Sequence, residues 1–595
     1  VSQFDLIIRN GRIVDGTGRE AFDGDVAVKD GVIVAVGRAI AGVADEVIDA
    51  EGRLVTPGFV DVHTHYDGQV TWDDTLEPSF SHGVTTVVTG NCGVGFAPVR
   101  PGGQRQLIEL MEGVEDIPGS ALWEGIRWDW ESFPDYLNAI ADKRWSMNVA
   151  TQVPHGAIRA YVMGERGVKN EPATAEDVHR MASLVEEAVD AGAVGFSTSR
   201  IIGHQALDGT SVPGTFAGED EVFAIGRALA RSGAVFELVP GGSVGTAGQN
   251  WKGEQTLAYE IDWMARLSLE AQIPITYLIV EHDDDPNAWK EALRLTEAAN
   301  AAGARLFPQT AARPAGFLTG FQSQHMFQRR PTYIDLAALP FEERIAELRR
   351  PEVKGAILSE ADAPPKSASI NDNLHLIIAG MLPHNIFPLG DPVDYEPTAD
   401  VAVAVQAKRD GVDPQERLYD LMLENDGQAM LLMPALNYSR GNHDALHGLL
   451  SHPDSVLGLA DGGAHCGITC DASTPTYMLT HWVRDRSRGL RLTLEQAVRK
   501  QTFETANLYG FTDRGVIAVG KRADLNVIDL DRLVLKAPYA VRDLPAGGQR
   551  ILQGAEGYVA TIVSGVITRR HDRDTGARPG RLIRRGQFKP AIATE

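Results

Sequence analysis

Two histidines stand two residues apart at the end of an apolar run, in Pro57-Gly58-Phe59-Val60-Asp61-Val62-His63-Thr64-His65. A β-strand repeats its side-chain direction every two residues, so His63 and His65 face the same side. At the mouth of a barrel such a pair can hold one divalent metal. An arbitrary His-x-His is more often two satisfied polar histidines, because a motif match alone is only a hypothesis. Here the Pro-Gly turn, the apolar strand and Asp61 two residues ahead shift the reading toward ligation. The chemistry that such a metal serves is hydrolysis near neutral pH. A metal lowers the pKa of its water to about 7 and polarises the scissile carbonyl. Such a pocket needs further ligands, an open coordination position and a base that passes the water's proton to the leaving group.

Further candidates lie at the ends of other apolar runs. Cys92 closes Val87-Val88-Thr89-Gly90-Asn91-Cys92-Gly93, and Asp461 follows Val456-Leu457-Gly458-Leu459-Ala460 and opens a Gly-Gly turn. Taken singly, a lone Cys reads as a small buried hydrophobe and an Asp before Gly-Gly as turn chemistry. Glu237 sits inside Val235-Phe236-Glu237-Leu238-Val239, and Ile279-Val280-Glu281-His282 ends another run. Strand period two lets only one of Glu281 and His282 point inward.

The elements that must position these residues follow from the pattern. Short alternating pieces fill the first fifty residues, punctuated by Asn10-Gly11 and Asp30-Gly31, two-residue hairpin signals. A similar texture returns after residue 514, and neither piece has much of a core alone. The two ends therefore combine into one discontinuous β-sandwich. Between them strands and helices alternate, with strands beginning near Phe59, Val84, Met147, Ala193, Ala234, Pro274, Arg305 and Ser455. Helices are expected over Ala175 to Ala191, Glu219 to Ala230, Leu257 to Leu269 and Asn287 to Ala301. The fold class is α/β, a (β/α)8 TIM barrel with the terminal β-sandwich.

The domain reading is 1–57 and 513–568 for the sandwich, 58–512 for the metal-dependent barrel, and 569–595 for a basic, exposed C-terminal extension. Insertions are expected at about 101–134 and 313–452, because about 145 residues separate the seventh strand from the eighth. The longer one is a lid or an oligomer contact. Within it Asp413-Pro414 reads as a helix cap followed by proline at the first helical position. Trp123, Trp128 and Trp130 in the shorter one are candidates for an apolar acyl pocket or for simple packing.

With 595 residues and 43% hydrophobic content the chain can bury more than one core. Its net charge of -24 argues against nucleic acid as a partner, which needs a basic footprint. Three cysteines are too few for a disulfide framework. No apolar run of about 18 residues reads as a membrane span, and no leader pattern opens the sequence, so a cytoplasmic protein is expected.

The run Pro57 to Asp67, the motif Thr89-Gly90-Asn91-Cys92-Gly93, and Gly515-Val516-Ile517 with Gly520-Lys521-Arg522-Ala523-Asp524-Leu525 resemble the amidohydrolase superfamily, in its D-aminoacylase (N-acyl-D-amino-acid deacylase) branch. The resemblance spans roughly residues 4 to 530. It implies the barrel-and-sandwich fold and a zinc site built from His63, His65, Cys92 and Asp461, with Asp461 as both metal contact and proton shuttle. The superfamily takes one histidine each from strands five and six. Here strand five has Glu237 in place of a histidine, as ligand or base, and strand six offers His282. Strand four has no lysine, so no carbamylated-lysine bridge is expected, and the site reads as one tightly bound Zn2+ with room for a second, weak one. His155, in a deacylase-like Pro154-His155-Gly156 stretch, reads as a substrate-side rim residue or a turn histidine. His465, Cys466 and Cys470 are candidates for the surroundings of Asp461 or for loop packing.

A deacylase needs a cation for the substrate carboxylate, which Arg200, Arg313 or Arg329 could supply. The expected reaction is hydrolysis of a linear amide, an N-acyl-D-amino acid, to a carboxylate and a D-amino acid. The partner is then a small-molecule amide, with a homo-oligomer compatible. Two rivals stand beside it: an amidohydrolase of cyclic amides or lactams, and a barrel that has lost its metal and serves as a binding or scaffold protein.

Overall fold

The computed structural model describes residues 3–245, 256–365 and 370–586. Eight parallel strands form its centre: β1 (Phe59–Asp61), β2 (Val84–Thr89), β3 (Asn148–Pro154), β4 (Gly195–Ser199), β5 (Val235–Val239), β6 (Ile275–Leu278), β7 (Leu306–Thr310) and β8 (Val456–Leu457). Each pairs with the next in sequence, and every expected strand start lies within two residues of an observed one. Residues just past β1 and β8 close the barrel. Thr64 bridges Gly462 in parallel, the Asp461 N–H donates to the His63 carbonyl at 3.0 Å, and the His65 N–H to the Gly462 carbonyl at 2.8 Å. The closing seam thus runs through the residues singled out for chemistry.

Strands β2 to β5 are buried at every position, as strands covered on both faces must be. Phe196 and Phe236 pack across β4 and β5 with ring centroids 5.1 Å apart and tilted by 60°. Each such side chain withdrawn from water contributes about 1.5–3 kcal/mol. The covering helices include Ala175–Ala191, Glu219–Ala230, Leu257–Ala271 and Ala288–Ala301. The first starts at a capping box, with Thr174 and Asp177 satisfying each other's backbone N–H.

Both chain ends meet in one nine-stranded sheet, joined where Leu525–Ile528 runs antiparallel to Leu54–Pro57. Its core draws Leu6, Ile8, Val26 and Ile33 from one end and Leu525, Val527 and Ile562 from the other. Asp30-Gly31 turns a hairpin, with φ of 50° and 73°. Asn10-Gly11 does not. It lies inside the strand Phe4–Ile13 as a register shift, where a Cβ on Gly11 would meet Val55 Cγ2 at 2.4 Å. The glycine serves close strand packing rather than a turn.

The basic tail departs from its expected exposure. The Ile583 N–H donates to Val149 O at 2.7 Å and that of Arg585 to Gly192 O at 2.9 Å, so residues 580–585 lie along the barrel beside β3 and β4. Leu582 and Ile583 are buried there. Apolar residues between the arginines give the segment a face to pack, and its arginines find carbonyls such as Ala191 O and Ser232 O. Residues 587–595 of the expected extension lie outside the described residues.

The long insertion carries a three-stranded sheet of Ala315–Thr319, Leu431–Leu436 and Phe387–Pro388. Its own apolar cluster includes Phe321, Phe327, Ile345 and Tyr419. Asp413 caps the helix Pro414–Met422 by accepting from the Gln415 N–H at 2.8 Å. Among the described residues no helix is long and apolar enough to cross a membrane.

Candidate metal centre

His63 and His65 follow β1 with rings 5.4 Å apart and both almost fully buried. Their Nε2 atoms face Asp461 Oδ1, at 3.4 Å from His63 and 3.7 Å from His65. Cys92, just beyond β2, places Sγ 3.3 Å from His63 Nε2. His63, His65 and Cys92 offer ligand atoms all within 4.8 Å of one another. Cys92, Asp461 and His465 hold φ of 56°, 46° and 51°. Left-handed backbone costs a residue with a Cβ about 1–2 kcal/mol, and its clustering at one rim marks a constrained site.

The opposite ring nitrogens are held from behind. Gln309, at the end of β7, sets Oε1 2.5 Å from His63 Nδ1, and Glu115 sets Oε1 3.4 Å from His65 Nδ1. Glu115 ends the helix Gln104–Glu115 in the short insertion and is itself buried. Fixing Nδ1 of His63 leaves its Nε2 as the ligating atom, while Glu115 faces His65 Nδ1 as a nearby charge without a hydrogen bond. Glu237 projects from β5 beneath the cluster, where its Oε2 accepts from the Cys92 N–H at 3.2 Å and its Oε1 stands 4.0 Å from His63 Nδ1.

Such a concentration of acid is costly without a cation. Burial raises the Glu237 carboxyl to about 8. Burial, followed by the surrounding carboxylates, also pushes the Cys92 thiol up. At His65 burial opposes the proton, but Glu115 and Asp461 overcome it and hold the ring at about 9. Both ring nitrogens of His65 and Oε1 of Glu115 lack a hydrogen-bond partner. Two imidazoles, a thiol and nearby carboxylates with orphaned polar atoms fit a divalent, thiophilic ion such as zinc.

The site opens into a cavity of about 170 Å³. Its walls are mainly apolar, with Ile201, Val239, Leu278, Val280 and Leu459 from the barrel and Leu436 from the insertion. The insertion is therefore part of the cavity wall. Trp128 and Trp130 line a different, surface depression, and Trp123 is exposed, so the aromatic acyl pocket has no counterpart here.

Several expected residues stand elsewhere. His282 turns into a local bridge, its Nδ1 accepting from the Asp285 N–H at 3.3 Å, and does not reach the cluster. Glu281 is buried against the insertion, accepting from the Ser439 N–H at 3.2 Å. Strand β6 stops at Leu278, so the two-residue alternation no longer governs either side chain. His155 is wholly buried between Thr198 and Glu221, each at 2.8 Å, and is not among the residues that line the cavity. Arg200 is buried in a fork on Glu260 at 2.8 and 3.1 Å, with Ala217 O as a further acceptor. Arg329 bonds Ala363 O. Arg313 does line the cavity, but its guanidinium is engaged by Asp471 at 2.8 and 2.9 Å, Ser473 and Cys470 O.

Glu115, Gln309 and the cavity residue His204 escaped the sequence reading, whereas His465, a candidate for the surroundings of Asp461, does line the cavity. Glu115 left a signal. It follows Ile108 and Met111 at spacings of three and four, so a carboxylate occupies the apolar stripe of its helix. Substituting Glu115→Gln is expected to weaken zinc binding about 10–100-fold with the fold retained. Competition with a chromophoric chelator checks this, and unchanged affinity would sink the role.

The sequence profile of the amidohydrolase family matches residues 46–569. The chain belongs to this family. A D-aminoacylase of Alcaligenes xylosoxydans xylosoxydans is 32% identical over 233 residues, which are 39% of this chain and 43% of the relative. The chain thus spans less than half the length of that curated relative. An uncharacterised protein of Mycobacterium tuberculosis is 26% identical over 99% of this chain and 97% of its own. A crystal structure of D-aminoacylase superposes with a TM-score of 0.64 at 23% identity, covering 98% of this chain and all of its own, which shows the shared barrel fold. Among amidohydrolases, this one is similar to the D-aminoacylases.

Proposed function

We propose that this amidohydrolase is a metal-dependent hydrolase of a carbon–nitrogen bond other than a peptide bond, converting a linear N-acyl-D-amino acid into a carboxylate and a D-amino acid. The observation that carries this is the convergence of His63 Nε2, Cys92 Sγ and Asp461 Oδ1 within 3.3–3.4 Å contacts of His63 at the rim of an apolar cavity. His63, His65, Cys92 and Asp461 would hold one zinc tightly, with Glu237 in reserve beneath for a second, weaker ion. Bound there, zinc supplies Lewis acidity toward the acyl oxygen and toward water.

The chain's own residues do the rest. Asp461 is held in its ionised form by His65 and His63 against the cost of its burial, so it can accept a proton from water. The same carboxylate then delivers that proton to the departing amine nitrogen. Gln309 keeps the His63 imidazole in register, Glu115 sets its charge beside that of His65, and the apolar walls exclude bulk water from the acyl group.

A second reading is favoured by Arg313. Its pairing with Asp471 leaves no free guanidinium or ammonium among the described residues lining the cavity, which suits an amide without a carboxylate, such as a lactam. A panel of N-acetyl-D-amino acids, their L counterparts and cyclic amides, assayed with zinc and after chelation, separates the readings. Chelator-sensitive release confined to the D series is the expected result. Opening of cyclic amides alone would move the assignment to the second reading. Zinc-loaded protein inert toward every substrate, or protein that binds no metal, would overturn both in favour of a scaffold.

A further inference from the structure

A second set of metal-capable donors lies among residues that do not line the cavity. Glu396 belongs to the long insertion, His443 precedes the helix Asp444–Ser451, and His481 lies in the π-helix Met478–Asp485 that follows β8. Glu396 and His443 are nearly inaccessible and His481 is 14% exposed. Short π-helical segments recur at functional sites because the wider turn re-aims a side chain.

The tautomer of His443 follows from its neighbours. Its Nε2 is 3.0 Å from Tyr395 O, and a carbonyl only accepts, so Nε2 carries the hydrogen and a neutral ring presents a lone pair at Nδ1. That lone pair faces His481 Nε2 at 3.3 Å and Glu396 Oε2 at 3.8 Å, while His481 Nε2 and Glu396 Oε2 are 3.1 Å apart. A tetrahedral ion with bonds of about 2.0–2.1 Å spaces its ligand atoms about 3.3–3.4 Å apart. The three edges observed here straddle that value. A single hydrogen on His481 Nε2 cannot serve both partners well, and the Tyr477 hydroxyl, 3.5 Å from His443 Nδ1, is at the limit of reach.

The donors are also held in place. The His443 N–H donates to Glu396 Oε1 at 2.7 Å, Arg486 forks onto both carboxylate oxygens at 3.1 Å, and the His481 ring stacks on Tyr477 at 4.6 Å. Arg486 is shared with Asp444 at 2.8 Å, so the three groups Glu396, Asp444 and Arg486 together keep one formal negative charge. A divalent cation is therefore not repelled by the cluster as a whole.

We propose that Glu396 Oε2, His443 Nδ1 and His481 Nε2 form a second, structural zinc site that staples the insertion to the π-helix after β8. A water or the Tyr477 hydroxyl completes the tetrahedron. The site is independent of the reading given to the first centre. Its role is to fix the insertion, which supplies Leu436 to the cavity wall.

The test counts metal on the full-length protein, loaded with zinc and desalted, by mass spectrometry. His481→Ala is expected to lose about one zinc per chain relative to the unaltered protein and to melt at a lower temperature. Loaded with cobalt instead, the same variant keeps the thiolate-to-cobalt band expected of the Cys92 centre, which a site of one carboxylate and two imidazoles cannot give. Folded His481→Ala protein with undiminished zinc would overturn the proposal. Should that variant fail to fold, the double variant His63→Ala/Cys92→Ala decides: about one zinc retained supports the second site, and metal-free folded protein refutes it. Absence of the thiolate band from the unaltered protein would count against the first centre only.

Discussion

Asp461→Asn is expected to lower kcat for amide hydrolysis by about 10²–10⁴-fold while KM stays close to its original value. The substitution removes the proton acceptor and weakens one of the four proposed zinc contacts, so the assay is run with zinc in excess. Asp461 sits at φ 46°, a left-handed conformation that asparagine adopts as readily as aspartate. Its backbone N–H still donates to His63 O, so the barrel seam is preserved. Steady-state kinetics on the best substrate of the panel, with melting temperature and zinc content measured in parallel, make the check. A variant that keeps more than about a tenth of the activity would remove Asp461 from the proton path.

The barrel was legible because buried parallel strands write themselves as short apolar runs between amphipathic helices. All eight runs became strands, and the helices Ala175–Ala191 and Glu219–Ala230 match their expected bounds. The convergence of His63, His65, Cys92 and Asp461 was legible for a related reason, since each terminates an apolar run and must emerge at the same rim. The arginines were not. Arg200 and Arg313 carry the right charge near the right strand ends, but their partners Glu260 and Asp471 come from segments 60 and 158 residues away. No local pattern announces such a pairing, and burying a guanidinium demands one. His282 failed because the strand ends before it, and the tail because Leu582 and Ile583 between flanking arginines read as charge when the segment packs along the barrel. Glu115 could have been found by treating a carboxylate on an apolar helix face as an anomaly.

The structural reading of His155 predicts a large effect on stability and little on chemistry. Glu221 accepts from Arg159 Nη1 at 2.6 Å on both oxygens and from His155 Nε2 at 2.8 Å, all within the protein interior. Burial on its own raises the Glu221 carboxyl, but His155 and Arg159 outweigh it and hold the group at about 2, against 4.5 for an ordinary glutamate. A carboxylate with a depressed folded pKa stabilises fully above its unfolded value and loses that contribution as pH falls through the folded one. The network is therefore complete at pH 7 and is expected to lose about 3 kcal/mol as pH falls from about 4.5 toward 2. Glu221→Ala leaves the buried Arg159 charge without its counter-ion, with only the Glu171 carbonyl remaining, and is expected to cost about 3–5 kcal/mol at neutral pH. The double variant Arg159→Met/Glu221→Leu removes both charges and is expected to recover most of that loss. Urea unfolding at pH 7 and at acid pH reads all three proteins. In the folded state each should retain kcat near that of the unaltered enzyme, because His155 and Glu221 stand apart from the His63 and Asp461 cluster. A selective rise in KM with unchanged stability would instead return His155 to the substrate rim.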